Sequence, residues 1–215
     1  EADPAQMQAA VVATSMLPAG KTLRGLLKPA QRAAFEAAMK ANGLPEAAFD
    51  RLKPWYVAVF LSAMPVLKDG FDPENGVEKV LDARAKALRR PHSALETAEY
   101  QLGLFDSLPE ETQLRFLNEV VETLSQAKNE LTEMVNAWKT GDATTLARLM
   151  NEDQDEPLLI ERLITGRNKA WADWIQQRLG QPGTVFMAVG AGHLAGEGSV
   201  QDQLAGKGVA TTRIQ

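Results

Sequence analysis

The stretch Thr184-Val185-Phe186-Met187-Ala188-Val189-Gly190-Ala191-Gly192-His193 decides how this chain is read. It follows Gln181-Pro182-Gly183 and is apolar and partly β-branched, the pattern of a buried strand. Two glycines and a histidine close it, and Leu194 and the loop Ala195-Gly196-Glu197-Gly198 follow. Ser199 stands where a helix N-cap belongs, with Asp202 three residues on. The order reads as strand, glycine turn, short helix, then a last strand over Val209–Ile214. In open α/β sheets ligands gather beyond the carboxyl ends of strands, where backbone can approach closely if side chains are absent. Gly190 and Gly192 would clear that space and His193 would project into it. The same four residues also fit a plain strand exit with a hydrogen-bonded imidazole.

Outward from this stretch the chain is mostly helical in pattern. Helices are expected over Ala5–Met16, from Pro29 to a stop at Asn42-Gly43, over Glu46–Leu52, and over Trp55–Leu67 with a bend or end at Pro65. Thr22–Leu27 suits either a short helical turn or a strand. Gly70–Gly76 is dense in turn residues and precedes a helix over Val77–Leu88. Pro91–Leu95 reads as a short strand leading into Glu96. Glu110–Trp138 carries the longest apolar stripe, and Gly141-Asp142 break it. A helix over Ala143–Met150, an acidic loop over Asn151–Glu156 and a long helix over Leu158–Leu179 complete the order.

Composition narrows the function classes. The chain has 215 residues, 45% of them hydrophobic, enough for a sizeable core and most simply one domain. A net charge of −5 gives no nucleic-acid footprint, and no apolar run reaches the length of a membrane span. There is no cysteine, so disulfides and thiolate metal sites are excluded. His92 and His193 are the only histidines, so this chain alone cannot build a multi-histidine zinc site. Gly190-Ala191-Gly192 lacks both the dinucleotide fingerprint and the P-loop Lys-Ser/Thr, which rejects nucleotide binding.

Several side chains could carry chemistry. At an expected strand end, Glu96 can ligate a divalent metal or act as a base toward water. It can equally be a helix N-terminal carboxylate held by the macrodipole. Gln101 lies near it, and Glu99 reads as surface. Arg167 can fork onto a carboxylate or phosphate, orienting Glu96 or holding an anionic group, or can simply pair on a helix surface. Asn168 adjoins it. His92 reads as a solvent-facing turn residue, and the four tryptophans stand at helical spacings more typical of core.

Val185–Ile214, with Gly190-Ala191-Gly192-His193-Leu194 and Gly206-Lys207-Gly208-Val209, resembles the C-terminal signature of the TraB/GumN family, part of the Tiki/TraB superfamily. Ala94-Leu95-Glu96-Thr97-Ala98-Glu99-Tyr100-Gln101 is similar to the family's Gly-Leu-Glu-Thr…Gln motif, with Ala94 in place of the glycine. Lys53-Pro54-Trp55, Gly76-Val77-Glu78, the segment Ala137–Asp142 and the segment Arg167–Trp171 fall in family order, so the resemblance spans essentially the whole chain.

The resemblance implies a helix-rich α/β fold with a small, mainly parallel central sheet flanked by helices, as in the erythromycin-esterase/ChaN group. One domain over 1–215 is expected, with 102–180 mostly helical. It implies a leading segment with a Gly-x-x-His histidine and strands, so Glu1-Ala2-Asp3-Pro4 reads as the start of a fragment. It further implies a divalent ion (zinc, manganese or cobalt) on His193, Glu96 and the leader histidine, with Arg167 at the same site. Asn168, Gln101, Gly190 and Gly192 would line the substrate. The activity implied is metal-dependent hydrolysis of a peptide or ester bond, the rival being non-catalytic capture of a peptide or small ligand that limits signalling. A periplasmic or secreted location, and self-association or pairing with the leader, complete the expectations.

Overall fold

In the computed structural model, residues 4–152 and 156–214 are described. They form two compact units, 1–128 and 129–215. Twelve α-helices carry the architecture of the described residues. The first unit holds α1 (Pro4–Ser15), α2 (Leu23–Leu26), α3 (Pro29–Ala41), α4 (Pro54–Lys68), α5 (Val77–Ala87), α6 (Ala98–Asp106) and α7 (Glu110–Thr123). The unit boundary falls inside α8 (Ala127–Thr140). The second unit continues with α9 (Ala143–Ala147), α10 (Pro157–Ile160), α11 (Gly166–Leu179) and α12 (Val200–Ala205). None of the described helices is long and apolar enough to cross a membrane.

The first unit is built around α4, whose Val57, Ala58, Leu61 and Met64 are buried with Phe35 and Met39 of α3 and Leu117 of α7. Proline at the first position starts both α3 and α4, where a missing N–H costs nothing. Pro65 neither ends nor closes α4, which runs on to Lys68 because its apolar face stays packed. Trp55 is buried, stacks on Phe105 of α6 at 5.6 Å, and donates through Nε1 to Asp106 at 3.2 Å. Arg24 forks onto Asp50 and holds its carboxyl below the ordinary range, and Arg32, with Arg24 beside it, does the same for Glu36.

The expected central sheet is contradicted. No strand forms among the described residues, and the one isolated antiparallel bridge joins Met16 and Leu52. Residues 184–190, 209–214 and 91–94 belong to no helix or strand. Phe186 is 79% exposed and Ile214 94%, where buried strands were expected. An apolar, β-branched run supplies only one side of a ladder, and no described segment lies alongside this one to complete it. The correction therefore removes the small parallel sheet and leaves a helical structure.

Local boundaries shift for similar reasons. Residues 46–50 form turns instead of a helix, and the expected helix Glu110–Trp138 is two helices broken at 124–126. The expected helix Leu158–Leu179 is interrupted by a π turn over Glu161–Thr165. Part of the acidic loop Asn151–Glu156 and the first residues, Glu1-Ala2-Asp3, lie outside the described residues.

Candidate functional site

The π turn sets the geometry of the second unit's site. Gly166 donates its backbone N–H to Glu161 O, five residues back, and a Cβ on Gly166 would stand 2.7 Å from that oxygen. Glycine is therefore what permits the wide turn to pass into α11. A π turn inserts one residue into a helix and rotates the face that follows, and such turns recur at functional sites. After it, Arg167 and Trp171 lie one helical turn apart, with Asn168 on the same side.

Facing them is the turn that ends the quoted stretch. Gly190 O accepts the His193 N–H at 3.0 Å, and residues Ala191–His193 form a 3-10 turn. His193 is 9% exposed, with its ring 4.6 Å from that of Trp171. Its Nδ1 lies 2.7 Å from Asn168 Oδ1, and its Nε2 lies 3.3 Å from Arg167 Nη1. Asn168 is fully buried, and its Nδ2 donates to Gly198 O at 2.8 Å.

These contacts fix the protonation of the ring. With Asn168 Nδ2 spent on a carbonyl, Oδ1 is the atom turned to the imidazole, and it can only accept. Nδ1 therefore carries the proton. A guanidinium can only donate, so Nε2 is the acceptor in the contact with Arg167, and the two contacts together match the Nδ1–H tautomer. Arg167 Nη1 also donates to Leu163 O at 3.0 Å within the π turn, and its guanidinium lies over the Trp171 ring at 4.9 Å. Trp171 is buried, and its Nε1 has no hydrogen-bond acceptor among the described residues.

The loop before α12 completes the wall. Ser199 caps α12 by accepting from Asp202 N, as its position in the sequence suggests, and Asp202 Oδ2 accepts from Gly198 N at 3.0 Å. Gly198 has φ +72° and its missing Cβ would meet Thr165 Cγ2 at 2.7 Å. A cleft of about 500 Å³ lies between this loop and the π turn, with Ile160 and Ile164 on one side and Glu197 and Asp202 on the other.

Of the residues singled out in the sequence, His193, Arg167 and Asn168 are thus brought together in one hydrogen-bonded set. Gly192 is buried in the turn beside His193. Gly190 has φ −59° and ψ 143°, a conformation open to any residue, and a Cβ there would make only a 3.8 Å contact with His193 Cδ2. Glu96 and Gln101 belong to the first unit, where Gln101 Nε2 donates to Glu96 Oε2 at 3.0 Å. Glu96 sits in a bend just before α6, whose N-cap is Thr97. His92 is half-exposed and pairs with Asp82 at 3.2 Å. The π turn is the part that sequence reasoning missed, whereas Trp171, read there as more typical of core, is buried and packs against His193. The Thr165-Gly166 pair within an otherwise helical pattern was the available signal.

The set does not fit a divalent metal. Among the described residues no group of three or more His, Asp or Glu stands where it would hold an ion. Both nitrogens of His193 are engaged, and the one with a lone pair faces a guanidinium that opposes a second cation.

Comparison with known proteins was informative at the level of sequence. The TraB/PrgY/gumN family model matches residues 1–213. The chain is 28% identical over 192 residues to the uncharacterized protein YbaP of Escherichia coli (strain K12), covering 87% of this chain and 70% of that protein. The same values hold for YbaP of Shigella flexneri. No solved structure matches the chain.

Proposed function

The chain belongs to the TraB/PrgY/gumN family, and from that membership we propose that it hydrolyses a peptide or ester bond, in the periplasm or outside the cell, with His193 Nε2 as the proton-accepting atom. The observation supporting this reading is the fixed tautomer: Asn168 Oδ1 holds the Nδ1–H, which makes Nε2 the basic nitrogen. In the step proposed, Nε2 takes a proton from water as its oxygen bonds to the carbonyl carbon. The imidazolium then returns that proton to the leaving group as its bond to carbon breaks. Arg167 supplies permanent positive charge for an anionic group of the substrate. Glu96, bonded to Gln101 in the first unit, enters no step of this scheme.

A panel of chromogenic esters and fluorogenic peptides, offered to the full chain, tests the reading. His193→Gln is expected to lower kcat/KM by about 10²–10⁴-fold, whereas Arg178→Gln, whose side chain caps the carbonyls of Gln181 and Pro182, should leave it unchanged. Equal turnover in H193Q at an equal denaturant midpoint would overturn the assignment. Loss of turnover in chelator would overturn the metal-free step. Saturable binding of panel members without cleavage would favour the ligand-capture reading.

A further inference from the structure

No residue of α5 is buried. Leu81, Asp82 and Ala85 are half-buried and mark the side turned to the first unit. Val77, Val80 and Leu88 share the opposite face by helical spacing, and each is more than half exposed. An 11-residue helix is marginal on its own and draws most of its stability from packing an apolar face, which α5 leaves in water. Arg84 stands within that same exposed stripe.

Charge sets this segment apart. The chain carries −5 overall, whereas residues 77–91 hold five basic and two acidic side chains. Asp82 is already taken by Lys86 and His92, and Lys79 reaches Glu74. Arg84, Arg89 and Arg90 make no ion pair among the described residues. The helix end keeps one of these cations at a backbone cost. Arg89 N–H donates to Lys86 O and Arg90 N–H to Ala85 O, the pair of bonds that closes a helix on a left-handed residue. That residue is Arg89, at φ +50°, where glycine would be relaxed.

Three occupants could cover such a face. A second copy would set two net-positive segments against each other. An apolar protein groove would bury Arg84 in the middle of the stripe with no acid beside it. A lipid surface accepts both features: the Arg84 stem runs along the apolar stripe while its guanidinium reaches a phosphate. We propose that α5 with Arg89 and Arg90 is a docking surface for an anionic phospholipid bilayer. The helix lies in the plane of the interface, with Val77, Val80 and Leu88 at the acyl boundary and the three arginines on headgroup phosphates. This docking is independent of the hydrolytic reading.

The test is co-sedimentation of the full chain with extruded vesicles, either pure phosphatidylcholine or an equimolar mixture with phosphatidylglycerol. The expected result is binding to the anionic vesicles, weakened by salt, and none to the neutral ones. Arg89→Gln with Arg90→Gln should lower the partition constant about tenfold or more. Lys28→Gln with Lys40→Gln, which removes the same charge from exposed positions at α3, should change it by no more than about twofold. Val80→Ser with Leu88→Ser should weaken binding at every salt concentration. Arg89→Gly removes a charge while relaxing the backbone, so weaker vesicle binding at an equal or higher urea midpoint separates lipid contact from misfolding. Equal binding to neutral vesicles overturns the proposal, as does an unchanged partition constant in R89Q/R90Q and V80S/L88S. Displacement from vesicles by soluble glycerol phosphate would reduce the surface to an anion site, and capture by soluble polyglutamate as tight as by vesicles would mean an acidic protein partner. Dimerisation that V80S/L88S abolishes, without vesicle binding, would mean a second copy. Each of these three results also overturns lipid docking.

Discussion

Asn168 shows at the scale of one residue why this site has a single geometry. A fully buried amide is tolerated only when both of its ends are used, and here one end serves Gly198 O and the other the His193 Nδ1–H. Exchanging it for alanine leaves a buried N–H and a carbonyl without their partner. Asn168→Ala is therefore expected to lower stability by about 1–3 kcal/mol, read as a shift in urea midpoint at unchanged m-value. The same variant should also release the ring, so that His193 shows a mixture of tautomers in ¹⁵N spectra. A midpoint change within the range of ordinary surface substitutions, about ±0.5 kcal/mol, would mean that Asn168 is not what holds the imidazole.

At the scale of elements, the helices were largely legible in the sequence and the strands were not. Proline at N1 and glycine after Asn42 announce α3, and the capping residue Ser199 acts as its position suggests. These signals are local, and so is the structure they specify. A strand is a property of two segments, which is why Thr184–Val189 misled: its composition is that of a ladder that nothing described here completes. The site lies between these cases. His193, Arg167 and Asn168 are recognisable as residue types that do chemistry, but which of them meet depends on the rotation that the π turn introduces, and no periodicity encodes that. The fit of the loop against that turn gives a direct test. Gly198→Ala meets both the positive φ and Thr165 Cγ2, so it should destabilise by more than the roughly 1 kcal/mol expected from the backbone alone. In a T165S background, which removes that methyl, part of the cost should be recovered. Identical losses in the two backgrounds of a double-mutant cycle would show that the loop does not bear on the π turn.

At the scale of the whole molecule, the chain carries apolar surface that its own folded residues leave in water. Val185, Phe186 and Ile214 are exposed, and Phe186 sits on a run whose backbone N–H and C=O groups make no ladder among the described residues. Surface of this kind leaves water by local collapse, by pairing with the same run on a second copy, or by pairing with another segment. Pairing satisfies backbone and side chain together, so self-association is the expected outcome. The aromatic ring supplies most of the apolar area, and burying one such side chain contributes about 1.5–3 kcal/mol. Phe186→Ser should then weaken the dimerisation constant by at least about tenfold, with helical content unchanged because no helix contains this residue. Sedimentation velocity across a concentration series separates the cases. Wild-type chain should move from monomer to dimer over the range where F186S stays monomeric. Exchange of Leu179, also exposed but at the end of α11 and not part of that run, serves as the control and should leave association unchanged. If F186S and wild type share one dimerisation constant, or if wild type stays monomeric throughout, the exposed run is simply solvated chain and self-pairing is ruled out.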